Sequence, residues 1–198
     1  MKKIKESEIL WAKVKPDAKI PTKSRENAGY NIYACFDENF FVIPRGETKL
    51  ISTGLACALS ENYYLQLEER GSMGSKGIKR SAGVIDSGYR GEIFVALTNC
   101  SEKDILISKL NDSEIESLCV SVCPNKDNTS KKLLYLGCSG YFVFPFNEDK
   151  TIIHSYNKAI CQGIVHIVPN LESREVSYEE LKSYESERGN GKLGSSGK

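Results

Sequence analysis

A single carboxylate stands at the edge of an apolar run in the segment GVIDSGYRGEI, residues 83–93. Asp86 directly follows Gly83-Val84-Ile85 and precedes Tyr89 by three residues. A carboxylate held beside apolar residues can deprotonate or orient a water molecule for attack on phosphorus, provided that other residues bind the phosphate. The same pattern is also typical of an aspartate that caps a turn before Ser-Gly. Asp86 is therefore a candidate general base, with turn capping as the alternative.

Two glycine-rich segments carry groups that bind phosphate. The first, ERGSMGSKGI at residues 69–78, contains Arg70, Lys76, two serines and glycines whose backbone amides can turn towards an anion. The second, ERGNGKLGSSGK at residues 187–198, has a similar composition. It lacks the Gly-Lys-Ser/Thr ending and the following helix of a phosphate-binding P-loop. On composition alone, the first segment is also compatible with a solvated loop and the second with a disordered terminus.

The composition limits the classes of function. The formal net charge of the 198 residues is +1, so no bulk electrostatic field draws the chain to nucleic acid or to a membrane surface. No apolar run approaches the roughly 18 residues of a membrane span, and the basic N-terminus lacks the apolar core of a signal peptide. We therefore expect an intracellular, soluble, cytoplasmic protein without nucleic-acid or membrane partners. The seven cysteines form no Cys-x-x-Cys pair, and Cys119, Cys123 and Cys138 fit no common zinc spacing, so reduced thiols are expected.

Short strands separated by turn residues dominate residues 40–99. FFVIPRGETKL predicts a strand, a Pro-Arg-Gly turn and a second strand. The segments YYLQLE, EIFVALTN and QGIVHIV have the β-branched and aromatic content of further strands, and His166 is expected at a half-buried position in the last one. Such regular spacing predicts an all-β sandwich or barrel, and the lack of strand–helix alternation argues against a doubly wound sheet.

Two other segments depart from this strand pattern. Residues 100–150 are polar at both ends and apolar inside. We predict that they form a mixed insertion, with a short helix over Asp112–Leu118, capped by its first residue or by the preceding asparagine, and a hairpin near Tyr135–Phe144. Residues 172–198 are charged and then rich in glycine and serine, which predicts a mobile tail. The chain is thus expected to be a single domain over residues 1–198.

Five segments, taken in order, resemble the five motifs of the trimeric dUTPases (deoxyuridine 5'-triphosphate nucleotidohydrolases). Three are the segments described above, and the other two are AGYNIYA at residues 28–34 and NKAICQGIV at residues 157–165. The match covers most of residues 20–198 outside the insertion, and GVIDSGYRGEI is its most specific element. The resemblance implies a β jelly roll (β-clip) and a homotrimer with shared active sites. It also implies hydrolysis of dUTP to dUMP and pyrophosphate, which limits uracil incorporation into DNA and supplies dUMP for dTMP synthesis.

The resemblance implies roles for the residues of the hairpin segment. Gly83, Val84 and Ile85 match the hairpin whose backbone pairs with uracil. Asp86 matches the aspartate that activates the water attacking the α-phosphate. Tyr89 matches the tyrosine that packs under deoxyribose and leaves no room for a 2'-hydroxyl.

The resemblance also implies how the triphosphate is held. Arg70, Gly71 and Ser72 match the phosphate-binding motif, and Gln162 matches a glutamine that contacts phosphate or metal-bound water. Mg²⁺ bound to the triphosphate is the expected cofactor, with Asn31 at the position that helps to hold the waters of the metal. The tail that closes over the nucleotide is matched by Arg188, Leu193, Gly194 and Ser195.

The sequence departs from the family pattern at several positions. Asn31 replaces an aspartate, so it keeps an acceptor but loses the charge. Arg70-Gly-Ser replaces Arg-Ser-Gly, which leaves the register of the serine open. Ala159 stands where a basic residue is common, and Leu193 replaces an aromatic residue that stacks on uracil.

The long connection between Tyr89 and Gln162 keeps a second class of function open. Some phage members of the family carry an insertion at this place and bind a repressor protein. A dUTPase-like regulator that acts on a protein partner through its insertion is therefore the alternative to the enzyme. The related dCTP deaminases share the fold, but they lack the Asp-x-x-Tyr hairpin and need a catalytic glutamate that we do not identify in this sequence.

Overall fold

Short strands make up most of the described part of the chain. The computed structural model describes residues 2–122, 131–137, 140–187 and 189. The strands in these ranges are β1 (Leu10–Lys13), β2 (Tyr30–Ile32), β3 (Phe40–Ile43), β4 (Thr48–Ser52), β5 (Leu55–Ala58), β6 (Tyr63–Glu68), β7 (Ile78–Ala82), β8 (Val84–Ile85), β9 (Phe94–Asn99), β10 (Asp104–Ser108), β11 (Lys131–Gly137), β12 (Gly140–Phe146), β13 (Thr151–Ser155) and β14 (Cys161–Ile167). The helices are α1 (Gly71–Gly74), α2 (Asp112–Val122) and α3 (Tyr178–Ser183), and a 3-10 turn spans Glu148–Lys150. The prediction of an all-β fold with a mixed insertion is confirmed.

The strands pair into five small sheets. Their orders are β2-β14-β6-β8, β4-β9-β7, β13-β10-β3, β1-β5 and β11-β12. Along β6, Leu65 and Leu67 are fully buried, whereas Gln66 and Glu68 are half-buried on the opposite face. Burial of each such leucine contributes about 1.5–3 kcal/mol. The alternation therefore fixes which face of this sheet meets the core and leaves polar side chains on the other face.

The sequence also predicted one of the connections between strands. β3 and β4 are joined through Pro44-Arg45-Gly46, and Gly46 has a φ of 76°, a left-handed conformation that favours glycine. The predicted strand–turn–strand is confirmed. The prediction that His166 is half-buried is wrong. It lies on β14 as expected, but it is exposed and stacks on Tyr64 of the neighbouring strand, with ring centroids 5.3 Å apart.

The insertion connects two parallel neighbours. β10 and β13 pair in parallel, with Asp104 opposite Thr151. A parallel pair needs a crossover of a dozen or more residues, and residues 109–150 supply it. They contain α2 and the β11–β12 hairpin, so the predicted helix and hairpin are both found. α2 begins at the predicted residue but continues to Val122, four residues beyond the predicted end.

A reciprocal cap starts the insertion helix and a small core anchors it. The Asn111 side-chain oxygen accepts the Glu114 backbone N–H at 3.0 Å, and the Glu114 carboxylate accepts the Asn111 N–H at 2.8 Å. Ile115 then packs in a buried cluster with Phe40, Leu106 and Phe146. This contact fixes α2 against the sheet formed by β13, β10 and β3.

The C-terminal residues form a second compact unit. The chain divides into Met1–Val168 and Pro169–Lys198. In the second unit, α3 begins after Ser177, whose hydroxyl accepts the Glu180 backbone N–H at 3.1 Å. The mobility of the tail and the single domain stay predictions. Among the described helices, none combines the length and the apolar character that a membrane crossing requires.

Candidate functional site

Gly83, the first residue of the hairpin segment, has no room for a side chain. A Cβ on Gly83 would lie 2.7 Å from Arg80 Cδ and 2.8 Å from the Leu67 carbonyl oxygen. The Gly83 carbonyl accepts the Leu67 N–H at 2.7 Å, and β8 then pairs with β6. Val84, which follows, is 61% exposed. The segment therefore exposes an apolar side chain beside a backbone that is held against β6.

Asp86 does not use its carboxylate to close the turn. The Tyr89 N–H donates to the backbone carbonyl of Asp86 at 3.0 Å, and the Arg90 guanidinium donates to the carbonyls of Ser87 and Tyr89. Within the described residues, no hydrogen bond or ion pair to the exposed Asp86 carboxylate is found. The backbone rather than the side chain holds the turn. This geometry favours the general-base interpretation of Asp86 over turn capping.

A cleft of about 230 Å³ lies beside this carboxylate. We call it the hairpin cleft; it is lined by Val84, Ile85, Asp86, Tyr89, Glu92, Ile93 and Phe94. Its volume is below the roughly 300–1,000 Å³ of pockets that enclose a whole ligand. The hairpin cleft has the size for one part of a nucleotide. The remaining part has to be bound by other residues.

A second group of candidate residues lies on three adjacent strands. Asn31 on β2 and Glu68 on β6 are both directly opposite Gln162 on β14. Residues in register on neighbouring strands point to the same face, and all three side chains are half-buried on the outer face. We call them the amide–carboxylate row. The Gln162 amide nitrogen donates to the Glu69 carbonyl at 2.9 Å, and a Cβ on Gly29 would lie 2.9 Å from its amide oxygen.

The first glycine-rich segment forms a cationic loop, residues 69–78, at the end of β6. Met73, at 1% exposed, anchors this loop in the core, while Ser72 and Lys76 are exposed and Arg70 is half-buried. No acidic partner of Arg70 or Lys76 is found in the described part of the chain. The charges and hydroxyls of the loop thus have no acidic partner among the described residues, and their binding of an anion stays a prediction.

Two ionisable groups in or near the loop have shifted pKa values, each for a different reason. Burial lowers the pKa of His154 on β13, and the positive charges of Lys76 and Arg70 lower it further. The Glu69 carboxylate accepts its own backbone N–H and that of Arg80 at 3.0 Å, which hold its pKa below the usual value. Sequence reasoning did not identify His154 or Glu68. The position of His154 depends on the pairing of β13 with β10, and Glu68 becomes a neighbour of Gln162 only through the pairing of β6 with β14.

The hairpin cleft and the amide–carboxylate row are separate within one chain. Ile85 is opposite Leu65, whereas Gln162 is opposite Glu68 and lies on the other side of β6. Ile85 and Gln162 are therefore offset by three residues along the strands and by two strand spacings. This offset corresponds to roughly 14 Å between their Cα atoms. Asp86 lies beyond Ile85, on the side away from Glu68. The structure thus joins Asn31 with Gln162, but it does not join either of them to Asp86.

The remaining predicted site residues belong to the tail. They lie outside the described residues, so their roles stay predictions: Arg188, Leu193, Gly194 and Ser195.

Comparison with known proteins identifies the fold and then the family. The structure is similar to that of the Staphylococcus bacteriophage 80alpha dUTPase with dUpNHpp, with a TM-score of 0.65 and 20% identity over 97% of this chain and 99% of that chain. It is also similar to a mutant dUTPase from phage phi11 of S. aureus, described with a structural Mg(II) ion, with a TM-score of 0.58 and 17% identity over 87% of this chain and 99% of that chain. The predicted β jelly roll is confirmed by these similarities.

The sequence comparisons go further than the fold. The dUTPase family model matches residues 16–111. The deoxyuridine 5'-triphosphate nucleotidohydrolase of Leptospira interrogans is 33% identical over 103 residues, covering 50% of this chain and 70% of that protein. The probable deoxyuridine 5'-triphosphate nucleotidohydrolase of Schizosaccharomyces pombe is 40% identical over 97 residues, covering 48% of this chain and 67% of that protein. The chain belongs to the dUTPase family.

Proposed function

We propose that this protein hydrolyses dUTP to dUMP and pyrophosphate. The observation that carries the proposal is the Asp86 carboxylate, which stands at the hairpin cleft without a partner among the described residues, in a chain of the dUTPase family. Asp86 takes a proton from a water molecule whose oxygen attacks the α-phosphorus. The bond from that phosphorus to the oxygen bridging it to the β-phosphorus breaks, and pyrophosphate leaves.

Tyr89 is the proposed filter for the sugar. Its ring lines the hairpin cleft and is 45% exposed, so one face is open to a ligand. A ring packed against deoxyribose leaves no cavity for a 2'-hydroxyl, and Val84 and Ile85 present the backbone that pairs with uracil.

Tyr89→Ala should narrow the preference for dUTP over UTP, because the alanine leaves room for the 2'-hydroxyl. Shape alone rejects an added hydroxyl by about 100-fold, so we expect the ratio of the two kcat/KM values to fall by about tenfold or more. Steady-state kinetics on both substrates measures the ratio. Tyr184→Ala, which removes an exposed tyrosine of the second unit, is the control. An unchanged ratio in Tyr89→Ala would show that another residue reads the sugar.

The phosphates require a different set of residues. Arg70, Gly71, Ser72 and Lys76 of the cationic loop provide charges, a hydroxyl and backbone amides for the triphosphate. The Gln162 amide nitrogen is bound to the protein, and its oxygen is proposed to accept from a metal-bound or free water. Arg188 and the rest of the tail are proposed to cover the bound nucleotide.

Mg²⁺ fits these residues as an ion that arrives with the triphosphate. Among the described residues, no group of three or more His, Cys, Asp or Glu side chains could hold a metal ion alone. Mg²⁺ prefers oxygen ligands and usually keeps several waters while binding substrate phosphates. The oxygen atoms of Asn31 and Gln162 are suited to hold such waters. When bound, the ion neutralises negative charge on the phosphates.

Asn31→Asp should lower the Mg²⁺ concentration needed for half-maximal activity by about tenfold or more. Two unit charges about 5 Å apart interact by roughly 3 kcal/mol at an effective dielectric constant of 20, and intervening water reduces this gain. Activity titrated against Mg²⁺ for both proteins measures the change. Asn27→Asp adds the same charge at an exposed loop position and serves as the control. Coincident titration curves for Asn31→Asp and wild type would contradict the proposed role.

We further propose that the active form is a homotrimer in which subunits share sites. The separation of roughly 14 Å between the hairpin cleft and the amide–carboxylate row supports this, since one chain does not bring its candidate groups together. Leu50 and Phe94 on the adjacent strands β4 and β9 are 66% and 45% exposed. Exposed apolar side chains of this kind are typical of a face that another chain covers.

A regulatory role through a protein partner is the second candidate function. It is supported by the anchoring of α2 through Ile115, Phe40 and Leu106, which gives the insertion a fixed position, as a partner-binding element requires. Pyrophosphate release from dUTP, dCTP and UTP, with and without Mg²⁺, separates the two functions. Selective release from dUTP supports the enzyme. Binding of a non-hydrolysable dUTP analogue without any release of pyrophosphate from dUTP supports the regulator.

A further inference from the structure

The Tyr89 ring is held by the two residues at the end of its turn. Its hydroxyl donates to the Glu92 backbone carbonyl at 2.9 Å. The ring also passes over Gly91 without space for a side chain, since a Cβ on Gly91 would lie 2.5 Å from the Tyr89 hydroxyl oxygen and 2.7 Å from Cζ. Separations below 3.0 Å are not tolerated by real Cβ atoms, so the ring has this position only because residue 91 is glycine.

The acceptor of this hydrogen bond is itself fixed from the core side. The Glu92 carboxylate accepts the Gly54 N–H at 2.9 Å and the Ser52 hydroxyl. Next to it, the Ile93 carbonyl accepts the Thr53 hydroxyl at 2.6 Å. Backbone bonds add to these, since the Ile93 carbonyl also accepts the Thr53 N–H at 3.3 Å and the Ile93 N–H donates to the Leu55 carbonyl at 2.7 Å. Residues 92 and 93 are therefore held by the segment from Ser52 to Leu55, and the Glu92 carbonyl has little freedom to move.

We propose that Gly91 and Glu92 determine the selectivity for the sugar by setting the position of the Tyr89 ring. This inference rests on the proposed dUTP hydrolysis and on Tyr89 as its sugar filter. A methyl group on residue 91 displaces the ring instead of the backbone, because Tyr89 is a surface side chain that is 45% exposed. Without its bond to Glu92, the ring no longer occupies the space that a 2'-hydroxyl needs.

Gly91→Ala tests the proposal, and Gly88→Ala is its matched control. Both glycines lie in the same loop and neither has a positive φ, but a Cβ on Gly88 meets no atom within 4 Å. We expect Gly91→Ala to reduce the ratio of kcat/KM for dUTP over UTP by about tenfold. This is part of the roughly 100-fold discrimination against an added hydroxyl that the shape of a site provides. Gly88→Ala should keep the wild-type ratio, and both variants should keep the wild-type melting temperature.

A second pair of variants addresses Glu92. Glu92→Gln keeps an oxygen that can accept from Gly54 and Ser52, whereas Glu92→Ala removes it. We expect Glu92→Ala to lower the dUTP to UTP ratio and Glu92→Gln to restore most of it. A residue that only supports the fold would change stability and both substrates equally, leaving the ratio unaltered.

The outcomes separate this inference from the proposed function. If the wild-type protein does not release pyrophosphate from dUTP, both the proposed function and this inference fail. If the wild type prefers dUTP and Tyr89→Ala loses that preference, but Gly91→Ala retains the full ratio, only the inference is overturned. A crystal structure of Gly91→Ala with the Tyr89 hydroxyl still bound to the Glu92 carbonyl would also overturn it.

Discussion

Asp86→Asn is expected to lower kcat for dUTP by about 10²–10⁴-fold, the usual contribution of a positioned general base. The change should leave folding intact, because the turn is closed by the Asp86 backbone carbonyl and by Arg90. Nucleotide binding should also persist, since the hairpin backbone and the cationic loop are unchanged. Single-turnover hydrolysis of dUTP measures the chemical step, and the Kd of a non-hydrolysable dUTP analogue measures binding.

Asp37→Asn is the matched control for this prediction. Asp37 is an exposed aspartate in the loop before β3, so the same change of charge there should leave stability nearly unchanged and kcat at the wild-type level. If Asp86→Asn retains more than a tenth of the wild-type turnover, Asp86 is not the base. In that case the water would have to be activated by another group, and the lack of partners for the Asp86 carboxylate would have no role in the chemistry.

Local sequence predicted the features that depend on neighbouring residues. The strand–turn–strand around Gly46 follows from the apolar run Phe40–Ile43, the Pro-Arg-Gly turn after it and the tolerance of glycine for a positive φ. The start of α2 follows from the cap formed by Asn111 and Glu114. The hairpin segment was identified differently, by its resemblance to a family motif, because no contact of the Asp86 carboxylate within the described residues fixes its type.

Features that depend on strand pairing could not be predicted in this way. The parallel pairing of β10 with β13 joins residues on either side of the insertion, and no local pattern encodes it. The same holds for Glu68, which becomes a neighbour of Gln162 only through the register of β6 with β14. The support of Tyr89 by Gly91 is local in sequence, but it depends on the direction of one side chain, which composition and spacing do not specify.

Deletion of residues 187–198 is expected to lower kcat/KM for dUTP by about 10–100-fold or more. Arg188 is the proposed partner of the phosphates, and a hydrogen bond to a charged group contributes about 1.5–3 kcal/mol, where each 1.4 kcal/mol is tenfold. The deletion begins after α3 and its Ser177 cap, so the helix of the second unit should remain. The oligomeric assembly should also be unchanged, because the deleted residues belong neither to the core strands nor to the exposed apolar face on β4 and β9.

A shorter deletion, of residues 196–198, is the matched control for the tail. It keeps Arg188, Leu193, Gly194 and Ser195, so it should retain nearly full activity. Ordering the tail over the nucleotide costs roughly 1–2 kcal/mol for each fixed residue, so only contacts made to bound substrate can hold it closed. Sedimentation measures the assembly of each protein, and pyrophosphate release measures turnover. Hydrolysis of dUTP at the full-length rate by the protein lacking residues 187–198 would show that the site is complete without its tail.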